Sequence, residues 1–273
     1  MNAAGNDYSI LDSPQVCQFL FHPRPESGFE TRDKRYQELL IPVDDEVSIG
    51  ARFYASQQGA PVLLFFHGNG EIVADYDDLG QFYQRMNINF MAVDYRGYGI
   101  SGGTPTVSSM LNDSHQIYDY VVEYLKESRF TGALLVMGRS LGSASALQLA
   151  ASHSELIDGL IIESGFAFSL PLLRLLGIDL ERIGVDTDPI ANDQKIKQFS
   201  NPTLVIHAEF DHIIPFSDGQ CLFQNAQDPQ KELLKIPGAN HNDILARGLE
   251  DYMKAVKKLV ERAVKAKILR EAR

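Results

Sequence analysis

The chain has 273 residues, 44% hydrophobic, 22% charged and 10% aromatic, the make-up of an ordinary globular protein. Its 25 basic and 36 acidic side chains leave a formal charge of −11. That charge argues against a general nucleic-acid binder and against docking on anionic lipid by charge alone. Cys17 and Cys221 are too few and too far apart for a disulfide framework or a zinc cluster. No apolar run reaches the roughly 18 residues of a membrane span, and residues 1–7 have no basic, apolar leader pattern, so a cytoplasmic protein is expected.

The first 35 or so residues carry Pro14, Pro23, Pro25 and Gly28 as breakers and are expected to be irregular. Residues 36–41 and 47–54 flank the acidic turn Asp44-Asp45-Glu46, which reads as a hairpin. Short apolar runs follow at 62–66, 90–93, 134–137, 160–162, 204–206 and 233–236. Helical patterns lie at 76–86, 107–126, 143–151, 218–225 and 243–267. Runs apolar on both faces, alternating with helices, imply a mostly parallel sheet covered on both sides: an α/β fold, as one domain over 1–273. Residues 164–201 break the alternation with Pro171, Gly177, Gly184 and Pro189, and read as a small helical cap insertion. Residues 247–273 hold nine basic and four acidic side chains, with Val256, Leu259, Val260 and Ala263 at helical spacing. This is the pattern of a packed helix whose basic face meets solvent, or else a membrane surface or a partner.

Ligands of open parallel sheets bind beyond the carboxyl ends of the strands, and the polar and glycine-rich motifs here all follow apolar runs. Gly138-Arg139-Ser140-Leu141-Gly142 matches G-x-S-x-G between a strand and a helix. Such a turn lifts the Ser140 hydroxyl clear of the sheet and places it at a helix N-terminus, where developing negative charge is favoured. A serine needs a base, commonly a histidine held by a carboxylate, and with this turn the acid and then the histidine follow in chain order. His153 closes the next helix, His207 lies within a strand run, and His212 is adjacent in sequence to Asp211. His241 is the one that falls in a loop after the last strand run. The acid is expected at Asp211, with Glu209 two residues away left as the rival. The oxyanion is expected to meet the amides of Leu141 and of Asn69, within His67-Gly68-Asn69-Gly70. His67 itself reads as a residue that shapes that loop.

These motifs, together with Asp94-Tyr95-Arg96-Gly97-Tyr98-Gly99, resemble the α/β-hydrolase superfamily, over about residues 36–265. The resemblance implies a serine hydrolase with no metal and no cofactor, cleaving small-molecule esters or thioesters through a Ser140–Asp211–His241 triad. Serine peptidases share the fold, as do acyltransferases and a few non-catalytic binding proteins, so the substrate stays open. Glu209 stands where many relatives have a small residue, a departure outside the triad. Within the insertion, Phe166, Phe168 and Leu172 are expected to wall an apolar acyl pocket, or to pack a cap helix onto the domain. The oligomeric state is left undetermined.

Overall fold

The computed structural model describes residues 7–26 and 35–272. Gly28, read above as a breaker, and residues 1–6 lie outside that range. The expected hairpin forms from β1 (Gln37–Pro42) and β2 (Ser48–Tyr54). Asp44 sets its turn: one carboxylate oxygen accepts from the amides of Glu46 and Val47 at 2.9 and 2.7 Å. The six later runs become β3 (Val62–Phe66), β4 (Asn89–Val93), β5 (Leu134–Arg139), β6 (Gly159–Glu163), β7 (Thr203–Ala208) and β8 (Glu232–Ile236). One eight-stranded sheet results, ordered β1-β2-β4-β3-β5-β6-β7-β8. β2 runs antiparallel to its two neighbours, and every pairing from β4 to β8 is parallel.

Alternation along the central strands divides the core in two. Val62, Leu64 and Phe66 point to the face covered by α3 (Val107–Glu127) and α4 (Gly142–Ser152). Leu63 and Phe65 point to the face covered by α2 (Asp77–Arg85) and α8 (Ile244–Glu271). Apolar residues on both faces are therefore a requirement of burial on both faces. The α8 stripe packs as its spacing implies, with Val256, Leu259, Val260 and Ala263 all buried. Several of its cations turn back onto the domain. Arg262 pairs with Asp228 at 2.6 Å, Arg270 with Asp158 at 2.7 Å and Lys258 with Glu232 at 3.0 Å.

The N-terminal region departs from the irregular chain expected of it. A short helix, α1 (Pro14–Leu20), starts with Ser13 accepting from the Val16 amide and Pro14 in the first turn, and it buries Val16 and Leu20. Two apolar anchors within seven residues were too few to stand out against the flanking prolines. Between β6 and β7 lie α5 (Ser169–Leu175) and α6 (Asn192–Lys195), and this segment sinks Leu173, Ile178, Leu180, Val185 and Ile190 into the core. α7 (Phe216–Asn225) links β7 to β8.

Arg96 fastens the loop after β4. Its guanidinium forks onto Asp113 of α3 at 2.7 and 2.8 Å and reaches Asp44 of the hairpin turn at 2.8 Å. Burial raises the Asp113 carboxyl despite this partner. Arg96→Met would leave that carboxylate buried without its cation, so a loss of about 2–3 kcal/mol is expected in urea unfolding. An unchanged midpoint would show that the fork adds nothing to stability.

Candidate active site

β5 ends at Arg139, and Ser140 follows with a left-handed backbone, φ +51°. A Cβ on Gly142 would lie 2.2 Å from the Phe66 carbonyl oxygen, and one on Gly138 would lie 2.3 Å from the Gly142 carbonyl oxygen. Both clashes are with backbone, which cannot swing aside, so glycine is required at both flanks. The serine is thus carried on a strained turn between β5 and α4.

Three side chains, up to 101 positions apart, meet there. His241 Nδ1 lies 2.7 Å from Asp211 Oδ2, and His241 Nε2 lies 2.9 Å from Ser140 Oγ. A carboxylate can only accept, so Nδ1 carries the proton and Nε2 is free to accept from the serine. All three are buried. The second Asp211 oxygen accepts from the amides of Ile213 and Ile214 at 3.0 and 2.9 Å. Burial pushes the Asp211 carboxyl up, but the hydrogen bond and charge of His241 and these two amides hold it below its ordinary value. Glu209 is turned elsewhere, toward Lys235 at 2.7 Å and the Gly238 amide at 2.9 Å. Nor do the other histidines reach Ser140. His153 lies 3.1 Å from His115 and stacks on Tyr118, His212 is exposed, and His207 donates to the Ile214 carbonyl at 2.9 Å beneath the acid loop.

The start of α4 lies against the end of β3, where Gly142 meets the Phe66 and His67 carbonyls; Leu141 precedes it, and Asn69 lies in the loop that follows β3. Neither backbone amide donates a hydrogen bond among the described residues. His67 props the second loop: its ring nitrogens lie 2.7 Å from the Gly68 carbonyl and 3.1 Å from Asp94. The Tyr98 hydroxyl donates to the Asn69 side chain at 2.7 Å, so the motifs at 67–70 and 94–99 interlock. Sequence reading missed a third support. The chain after α1 lies across this loop, with the His22 amide donating to Asn69 Oδ1 at 2.9 Å and Arg24 donating to the Gly70 carbonyl at 3.0 Å. Partners 47 positions apart and without periodicity leave no pattern to read.

Arg139, which in the sequence reads only as the residue before Ser140 in the G-x-S-x-G turn, has a structural place of its own. Its guanidinium is buried beneath Ser140, 2.9 Å from Glu71, 2.9 Å from Glu163 and 3.1 Å from the His241 carbonyl. Glu71 accepts further from the Gly68 amide at 2.6 Å and from Tyr76, and Glu163 accepts from Tyr252 at 2.6 Å. Burial would raise the Glu71 carboxyl, yet Arg139 and Tyr76 hold it below its ordinary value. Burial likewise opposes the guanidinium, but Glu163 and Glu71 push its pKa above the usual value.

Two cavities adjoin these loops. Phe166, Phe168 and Leu172 come together with Leu175, Ile213 and Ile214 around an apolar cavity of about 220 Å³. A second, of about 320 Å³, is bounded by Glu71, Arg139, Glu163 and His241, by Tyr76, and by the apolar Leu79, Ile244 and Leu245.

Comparison with known proteins agrees with this architecture. Residues 57–176 match the family described as serine aminopeptidase, S33. The human alpha/beta hydrolase domain-containing protein 17B is 30% identical over 202 residues, 72% of this chain and 65% of that protein. The lysophosphatidylserine lipase ABHD12 of Xenopus tropicalis is 32% identical over 191 residues, 63% of this chain and 48% of that protein. This chain thus spans less than two thirds of either relative. Among solved structures, the Pyrococcus furiosus esterase Pf2001 superposes with a TM-score of 0.70 at 17% identity, over 89% of this chain and 100% of that one. The chain belongs to the α/β-hydrolase superfamily, and the solved structures share its fold. Among the described residues no helix is long and apolar enough to cross a membrane.

Proposed function

We propose that this hydrolase cleaves carboxylic esters or thioesters of small molecules through an acyl-enzyme on Ser140. The carrying observation is the Asp211–His241–Ser140 relay at 2.7 and 2.9 Å. Ser140 Oγ attacks the acyl carbon and its proton passes to His241 Nε2. Asp211 holds the ring and balances the imidazolium. The oxyanion is received by the amides of Leu141 and Asn69, each worth about 3 kcal/mol to the transition state. His241 returns the proton to the departing alcohol or thiol, and water repeats the sequence to free the acid. The cap segment at 164–201 supplies Phe166, Phe168 and Leu172 to an apolar cavity, which favours an apolar acyl group. The esterase and lipase named among the similar proteins support the same reading.

The test is hydrolysis of p-nitrophenyl esters from acetate to decanoate, with Ser140→Ala alongside. Expected is turnover that falls by about 10⁵-fold or more in the variant, and labelling of Ser140 by a fluorophosphonate. The S33 match supports a second reading, a serine aminopeptidase. Labelling without ester turnover, but with cleavage of aminoacyl p-nitroanilides, would favour it. Absence of both labelling and turnover would refute the hydrolytic reading and leave a binding protein.

A further inference from the structure

We infer that Arg139 and Glu71 are positioning residues that set the oxyanion amides and the histidine loop in register. This rests on the assignment of Ser140 and His241 above. Four loops, after β3, β5, β7 and β8, make the proposed site, and in the sequence nothing couples them. One buried guanidinium joins three of them in space. It sits immediately before Ser140, contacts Glu71 at 2.9 Å in the loop after β3, and donates to the His241 backbone carbonyl at 3.1 Å in the loop after β8. Glu71 passes the connection on. Its other oxygen accepts from the Gly68 amide at 2.6 Å, one residue before the proposed donor Asn69. The two proposed oxyanion amides, Asn69 and Leu141, therefore each lie two residues from an end of the Glu71–Arg139 pair. Glu163, held by Tyr252 of α8 at 2.6 Å, fixes the guanidinium from below at 2.9 Å.

In the cavity beside His241 every oxygen of Glu71 and of Glu163 already has a donor, from Arg139, Gly68, Tyr76 or Tyr252. A network with each carboxylate oxygen engaged fixes geometry. Geometry is what an oxyanion hole needs, since its donors must match the position the oxyanion will take.

Glu71→Gln keeps the side-chain volume but cannot face Arg139 and also accept from Gly68 as a carboxylate does. Arg139→Lys keeps the charge opposite both carboxylates, so it spares the fold, but a single ammonium cannot span three loops. The readouts are kcat and KM on the best p-nitrophenyl ester, and inhibition by a trifluoromethyl ketone, whose adduct places an oxyanion in the hole. Rates are taken per fluorophosphonate-reactive serine, so unfolded protein does not count. Expected for Glu71→Gln is a kcat lowered about 10²-fold, KM within about threefold, and ketone affinity weakened in step with kcat. Arg139→Lys should lose about tenfold in the same pattern. If both variants keep kcat and ketone affinity within about threefold, or if KM alone moves, the positioning role is overturned while the triad stands. Turnover surviving in Ser140→Ala would instead remove the triad assignment itself.

Discussion

Asp211→Asn is expected to lower kcat for ester hydrolysis by about 10⁴-fold, with KM little changed. The carboxylate accepts from His241 Nδ1 at 2.7 Å on one oxygen and from the Ile213 and Ile214 amides on the other. An asparagine satisfies the two loop amides through its carbonyl and turns its NH₂ toward the ring. The imidazole must then present an unprotonated Nδ1, leaving Nε2 with a hydrogen where the serine needs an acceptor. Glu209→Gln is the control: Glu209 faces Lys235 and Gly238, so turnover should stay within about twofold. A collapse of kcat in Glu209→Gln, with Asp211→Asn active, would transfer the acid role. The Asp211 carboxyl lies below its ordinary value in the fold, so it contributes stability above the unfolded-state value near 3.8. That contribution disappears as pH falls through the lower folded value. Loss of activity in mild acid is therefore not expected to arise from protonating Asp211.

Lys195→Met is expected to stabilise the protein by about 2–4 kcal/mol at pH 7. The Lys195 side chain is buried against α4, and its ammonium has no hydrogen-bond partner among the described residues; it lies 5.3 Å from the centre of the Tyr8 ring. Burial pushes its pKa from 10.5 down to about 7, with Asp188 only partly opposing. Between those values the unfolded chain binds the proton and the native chain does not, so native stability rises as pH climbs from 7 to 10.5. Below 7 the cost of burying the charge is complete. Urea unfolding at pH 7 and pH 9.5 checks both parts. The wild type should gain stability between the two, and the variant should lose most of that gain. A variant no more stable than wild type at pH 7 would mean that the ammonium finds water.

Why some of this was legible in sequence and some was not comes down to which interactions repeat. The strands were legible because burial on two faces forces unbroken apolar runs such as Val62–Phe66. The elbow was legible because backbone clashes at Gly138 and Gly142 admit one residue type. Elimination reached His241, since only one histidine followed the last strand run. The choice between Asp211 and Glu209 stayed open because both sit in one loop, and side-chain direction there is set by the Ile213 and Ile214 amides. Arg139 and Glu71 were invisible for a different reason. A buried ion pair between positions 68 apart has no period, and each residue alone reads as surface. The same holds for the chain at 21–26, whose hold on Asn69 and Gly70 is a single crossing.

The place of His241 in the chain has a bearing on synthesis. The serine and the acid are translated first, and the base comes after β8, in the loop that leads into the final helix. A nascent polypeptide exposed through β7 carries an elbow without its general base, and a serine hydroxyl without one is a feeble nucleophile. On the proposed triad, hydrolytic competence waits for the chain beyond β8, and a product cut short before His241 is expected to be inert toward acyl groups around it.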